Sequence, residues 1–288
     1  MHHLFEVASG SVIGRDHARD GKNNQDSCYV FQDEIVTIAL VGDGCSSSEL
    51  SHVGSYIGLK IIGKTFRDQI GVVRYHDHLL QNIDVPKILE NVRLSALADM
   101  RDLIINIGGN SKKNVLDAFL FTVSGCVISR FHTFFFSIGD GIIVINGEIM
   151  ELGPFIDNAP PYFGYALLDP VKVKMDPESF HFVVNRIIET EKLETAILGC
   201  DGARDFIASE GKNIPGKLEK VGSIFQFVEN DKYFSNEFAL RRRLVMLNRE
   251  VQHIDWEKRE VSKEGGLLPD DTTIVALRRK KNLPVEVA

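Results

Sequence analysis

Cysteine is scarce in this 288-residue chain, and Cys28, Cys45, Cys126 and Cys200 lie far apart with no CxxC pair among them. That spacing suggests neither a zinc ribbon nor a disulfide framework, so a reducing, cytoplasmic setting is expected. An excess of positive charge is also missing: 33 Lys and Arg face 40 Asp and Glu, for a net charge of -7. This balance supplies no general attraction to polyanions, so neither nucleic acid nor a membrane surface is an expected partner. No apolar run is long and uncharged enough to span a bilayer, and the start, MHHLFEVASGSV, has no basic segment leading into an apolar one. A soluble protein is therefore expected. Internal repeats, low-complexity linkers and shifts of composition are absent too, so nothing marks a domain boundary. What the chain does have is 44% hydrophobic residues, enough to bury a substantial core.

Apolar, β-branched segments at 5–12 and 35–41, bounded by Gly and Asp, predict early strands. After Gly42-Asp43-Gly44, the residues Val53, Tyr56, Ile57, Ile61 and Ile62 recur at helical spacing, so 48–66 reads as a helix capped near Ser47 or Ser48. A second helix is expected behind the cap residue Asp84, with Pro86 in its first turn, Ile88, Leu89, Val92, Leu97, Met100, Leu103 and Ile104 on one face, and Gly108-Gly109 at its end. From 115 to 149 the period becomes that of three antiparallel strands in a meander, with turns at Gly139-Asp140-Gly141 and Asn146-Gly147. A less regular stretch carrying Pro154, Pro160, Pro161 and Pro170 follows. Strands at 195–200 and 272–277 then enclose a mainly helical insertion over 203–260, in which Arg241-Arg242-Arg243 reads as a solvated helix face. One domain over 1–279 is expected, with a loose tail at 280–288.

Four aspartates share one context: Asp43 in ALVGDGCSSS, Asp140 in FFSIGDGIIVI, Asp201 in AILGCDGARDF and Asp270 in LLPDDTTIVAL, each where an apolar strand meets a turn. A single Asp-Gly is most often an ordinary turn. Four in a chain without His or Cys ligand clusters point to a cage of hard oxygen donors, because carboxylates gathered at strand ends repel unless a cation neutralises them. Such donors select Mg²⁺ or Mn²⁺ over zinc.

In order along the chain, KNNQDS, VGDGCSSS, SIGDGIIVING, LGCDGARDF and PDDTTIV resemble the successive motifs of the protein phosphatase 2C family, especially its bacterial branch. The resemblance covers nearly the whole chain. It implies an α+β fold, a four-layer α/β/β/α sandwich of two antiparallel sheets flanked by helices, with metals in a cleft at one end. By matching positions, Asp43 would bridge two core Mn²⁺ or Mg²⁺ ions, the Gly44 carbonyl would complete one site, and Asp201 and Asp270 would hold the other. Asp26 would act mainly through bound water, and Asp140 would join Asp201 at a weaker third ion. Asp271 sits where the family has Asn or Asp, which leaves a one-residue ambiguity with Asp270. The implied activity is hydrolysis of phosphoserine and phosphothreonine in proteins by a metal-activated water, with Asp26, Asp43 and Asp201 as the catalytic carboxylates. No Cys-x5-Arg loop is present, in keeping with a reaction that needs no protein nucleophile.

The chain departs from the family in two places. Many members follow the Asp-Gly of the second motif with His or Met and two glycines, whereas this chain has Cys45, Ser46 and Ser47, so the acid for the leaving group is unassigned. The family's phosphate-binding Arg has no clear counterpart; Lys22 is nearest in position, with Arg15, His17 and Arg19 as substitutes. The expected partners are a phosphoprotein substrate and an opposing kinase in bacterial signalling. The alternative is a catalytically silent domain of the same fold that binds a phosphoprotein or regulates a partner. An unrelated carboxylate-metal hydrolase, such as a nuclease, fits least well with an acidic chain lacking a basic groove.

Overall fold

Alternate residues in the central strands face different layers, and both layers are dry, which is why these strands read as unbroken apolar runs. A computed structural model describes residues 1–73, 81–156, 159–169 and 176–281. One antiparallel sheet has the order β1 (Phe5–Val12), β12 (Thr272–Arg279), β9 (Thr195–Gly199), β6 (Gly141–Ile145), β7 (Glu148–Leu152). The other has the order β2 (Ser27–Gln32), β3 (Thr37–Gly42), β4 (Val123–Ile128), β5 (His132–Ile138), β8 (Val183–Glu189). In β3, Ala39 and Val41 face the opposite sheet, where they meet Ile143, Leu198, Val275 and Leu277; Ile38 and Leu40 face outward into a helical layer.

After the short helix α1 (Arg15–Arg19), the outer layer consists of α2 (Ser51–Val73) and α3 (Val85–Ile107), whose Leu59, Ile62, Phe66, Val92 and Met100 pack with Phe134 and Phe136 of β5. On the far side, α5 (Gly202–Ala208) and α6 (Ala239–Leu247) set Phe206, Leu240 and Leu244 against Ile142, Ile197 and Ile274. The expected four-layer α/β/β/α sandwich is therefore the observed architecture. Truncating any one of its buried phenylalanines would cost ~3–5 kcal/mol, so the two sheets form a stiff support for whatever sits on their rim. Among the described residues, no helix is long and apolar enough to cross a membrane.

Several expectations from the sequence need correction. The first long helix starts at Ser51, and the Ser48 hydroxyl does not cap it but donates to the Leu116 carbonyl at 2.7 Å. Residues 115–118 end a helix, α4 (Ser111–Ala118), capped by the Asn110 side chain, which accepts from Lys113 N. The segment 115–149 is not one meander, because the chain leaves one sheet after β5 and joins the other at β6. The strands β2 and β8 were not anticipated; both are half-exposed edge strands with weak alternation. The stretch 203–260 does not stay helical, since after Asn248 it forms a solvent-facing hairpin, β10 (Val251–Asp255) and β11 (Glu260–Glu264). Arg243 is buried against the Glu219 carboxylate, so only Arg241 and Arg242 form the solvated face. Of the expected loose tail, 282–288 lies outside the described residues, as does Pro170.

Candidate metal centre on the sandwich rim

In antiparallel sheets, the start of one strand and the end of its neighbour lie at the same edge. Asp43 follows the end of β3 and Asp201 follows β9, while Asp26, Asp140 and Asp270 precede β2, β6 and β12. Register places them at one level: Ser27 pairs with Gly42, and Gly199 pairs with both Ile142 and Ile274. The sheet switch between β5 and β6 carries Asp140 across to the same rim. All five proposed carboxylates thus come together at one end of the sandwich.

The loops are tied to one another by backbone contacts. Asp43 O accepts from Thr122 N at 2.8 Å, and Gly44 N donates to Gln25 O at 3.2 Å. A Cβ on Gly44 would sit 2.7 Å from that same Gln25 oxygen, so only glycine lets the Asp43 and Asp26 loops lie side by side.

Burial and mutual repulsion dominate the electrostatics. Burial first, then the charges of Asp26, Asp201, Asp270 and Asp140, push the Asp43 carboxyl well above its ordinary range. Asp26 is raised by burial and by Asp271, and Asp201 is pushed up to about 7 by burial, Asp270 and Asp140. Asp140 is also raised by burial, partly opposed by a backbone hydrogen bond and by Arg204. Asp26 and Asp140 are only 7% and 6% exposed. Asp140 Oδ1 has no protein hydrogen-bond partner, and Asp26 has none in good geometry, although the Cys200 thiol and Thr273 hydroxyl lie near enough to draw its carboxyl partly back down. Buried carboxylate oxygens short of donors, facing other carboxylates, are the surroundings a hard divalent cation fits.

The last motif separates its two aspartates. Asp270 is 46% exposed at its side chain and adds repulsion to Asp43, Asp140 and Asp201. Asp271 is 1% exposed and bonded to backbone amides. Its Oδ2 lies 3.1 Å from His17 Nδ1, and His17, Asp270 and Asp271 have potential ligand atoms within 4.8 Å of one another.

Lys22 is exposed and its Nζ donates to Ser46 O at 3.1 Å, in the turn that follows Asp43. Of the substitutes for it, Arg15 is engaged with Asp16 and the Gly266 carbonyl, Arg19 lies 3.5 Å from Asp16, and His17 faces the Asp270-Asp271 pair. Cys45 is buried, with Sγ 3.1 Å from Ser47 Oγ; burial raises its thiol, but hydrogen bonds from Ser47 and Tyr162 outweigh that and bring it below the ordinary thiol range.

Two neighbours were not anticipated. Arg204 sits on the first turn after Asp201, donates to the Gly141 and Leu152 carbonyls, and draws the Asp140 and Asp201 carboxyls downward. Its place three residues after Asp201 on a helix could have identified it. Tyr162 lies close enough to Cys45, Asp43 and Asp140 for their charges to push its phenol up, after burial as the main cause. Nothing in the irregular Pro160-Pro161 stretch signals it.

The family model described as protein phosphatase 2C matches residues 13–163. Among solved structures, a bacterial serine phosphatase superposes with a TM-score of 0.51 at 12% identity, over 97% of this chain and 99% of the other. A variant bacterial serine phosphatase gives 0.51 at 11% over the same shares, and the serine/threonine phosphatase Stp1 from Staphylococcus aureus gives 0.46 at 12%, over 96% and 95%. Identities this low speak to the fold alone. Comparison with curated proteins gives no match. The family model spans just over half the chain and includes the Asp26, Asp43 and Asp140 motifs, and the chain belongs to the protein phosphatase 2C family.

Proposed function

We propose that the protein is a metal-dependent serine/threonine phosphatase acting on phosphoproteins, as a cytoplasmic counterpart to a kinase in bacterial signalling. The observation that carries this reading is the convergence of Asp26, Asp43, Asp140, Asp201 and Asp270 on one rim, where burial and mutual repulsion raise Asp26, Asp43, Asp140 and Asp201 and leave Asp140 Oδ1 without a protein donor. Asp43, the Gly44 carbonyl, Asp201 and Asp270 would hold two core Mn²⁺ or Mg²⁺ ions; Asp26 would assist through water, and Asp140 with Asp201 would hold a weaker third. When bound, such ions acidify a shared water and offset charge on a phosphoryl group.

The chain's own residues orient the substrate. Lys22, exposed and bonded to the Cys45–Ser47 turn, presents an ammonium where a phosphate would enter. Arg204 moderates the repulsion between Asp140 and Asp201 by its charge, from a place fixed by its bonds to the Gly141 and Leu152 carbonyls. No His stands next to Gly44, and the proton-bearing groups about the Cys45 turn include the Cys45 thiol, the Ser47 hydroxyl and the Tyr162 hydroxyl.

The test is turnover of a generic phosphoester and a phosphothreonine peptide with Mn²⁺, with Mg²⁺ and with chelator. Turnover should require metal, and full activity after exhaustive chelation would sink the mechanism. A protein that binds metal yet hydrolyses nothing would instead be the silent phosphoprotein-binding domain, a reading that the altered Cys45-Ser46-Ser47 turn favours.

A further inference from the structure

Both oxygens of the Asp271 carboxylate hold backbone amides: Oδ1 accepts from Gly14 N at 2.6 Å and Oδ2 from Gln25 N at 2.6 Å, with His17 Nδ1 3.1 Å from Oδ2. The two amides flank the loop that delivers Asp26. The same loop is joined to the β12 approach by Arg15 N and Asp16 N, which donate to Leu268 O and Pro269 O at 2.9 and 3.0 Å. The approach is so close that a Cβ on Gly14 would meet the Asp270 carbonyl carbon at 2.4 Å. Asp270 itself bonds to Asp271 N at 2.8 Å and is half exposed toward the acidic rim.

We propose that Asp271 is a positioning residue, a buried carboxylate clamp that holds the Asp26 loop and the Asp270 turn in one register without itself binding metal. The proposal rests on the reading above, in which Asp26 and Asp270 serve the metal site. The clamp needs both oxygens. An asparagine offers one acceptor and would turn its NH₂ toward either Gly14 N or Gln25 N, leaving a buried donor facing a donor. The spacing of His17, Asp270 and Asp271 would suit a cation by distance alone. Each Asp271 oxygen keeps a lone pair, but each already accepts a short backbone N–H, a bond of the stronger, charge-assisted kind, and of the two neighbours it is Asp270 whose charge acts on Asp43, Asp140 and Asp201.

Amide exchange followed by NMR tests the clamp apart from catalysis. In chelator-treated wild-type protein, the Gly14 and Gln25 amides should be protected, and adding Mg²⁺ should change them little. In Asp271→Asn they should exchange about 10- to 100-fold faster, with the Ile274 and Val275 amides of β12 unchanged. The Mn²⁺ concentration for half-maximal phosphatase activity should rise about tenfold, with turnover largely regained at saturating Mn²⁺. Asp270→Asn, which removes a proposed ligand, should not regain it. Open-loop exchange at Gly14 and Gln25 in metal-free wild type, or protection that appears only with Mg²⁺, would overturn the proposal and make Asp271 a ligand. The wild-type comparison stands even if Asp271→Asn does not fold. If every preparation lacks phosphatase activity, the proposed function falls while the exchange result still decides the clamp.

Discussion

Asp201→Asn should stabilise the metal-free protein while abolishing its activity. The Asp201 carboxyl is held at about 7 against an ordinary 3.8, by burial first and then by Asp270 and Asp140. Below pH 3.8 the group is protonated in both the folded and the unfolded chain and contributes nothing. Between there and about 7 the folded chain keeps a proton that the unfolded chain releases, so stability falls as pH rises. Above about 7 the penalty is complete, and a difference of that size corresponds to roughly 4 kcal/mol. Because Asp43, Asp140 and Asp270 share the repulsion, and Asp201 is not fully removed from solvent, the amide should recover ~2–4 kcal/mol. Urea unfolding of chelator-treated wild type and variant at about pH 5 and about pH 8 measures this directly. The wild type should lose stability between the two, the variant should lose less, and Mn²⁺ should restore the wild type far more than the variant. A wild type whose metal-free stability rises with pH, or a variant no more stable at about pH 8, would refute the electrostatic account of the rim.

Asp43→Ala should leave a folded protein with turnover reduced about a thousandfold, since it removes charge from the centre of the cluster; near-wild-type kinetics at saturating metal would contradict its place there. Asp140→Asn should weaken catalysis more than tight metal binding, measured by calorimetry and kinetics on one preparation, and loss of both tight sites would mean that Asp140 serves the core pair. Lys22→Ala should raise KM for a phosphopeptide about tenfold with a smaller loss of kcat, and Lys22→Arg should be tolerated. Unchanged kinetics in Lys22→Ala, beside a KM defect in Arg15→Ala, Arg19→Ala or His17→Ala, would move that role to the other residue.

The elements most legible in the sequence were those whose signal is local. The strand over 5–12, the Asp84-capped helix ending at Gly108, and the Asn146-Gly147 hairpin each depend on neighbours a few residues away, and each stands as expected. The Asp-Gly turns were visible for the same reason, because apolar runs ending in Asp-Gly mark a strand rim wherever they occur. Elements whose signal is weak or non-local were missed: the edge strands β2 and β8, and the helix Ser111–Ala118 beside an apolar run that resembles strand.

By itself, the sequence determined which residue types could gather hard cations and where the main apolar strands run, since both follow from composition and period along the chain. Only the tertiary structure decided that β6 leaves its sequence neighbour β5 for the opposite sheet and so brings Asp140 to the rim with Asp201 and Asp270. It alone separated Asp270 from Asp271, adjacent and chemically identical, by turning one toward the acidic cleft and the other onto the amides of Gly14 and Gln25. The physical reason is that a carboxylate's role is set by the donors within hydrogen-bonding distance of it, and here those donors lie 257 and 246 residues away along the chain.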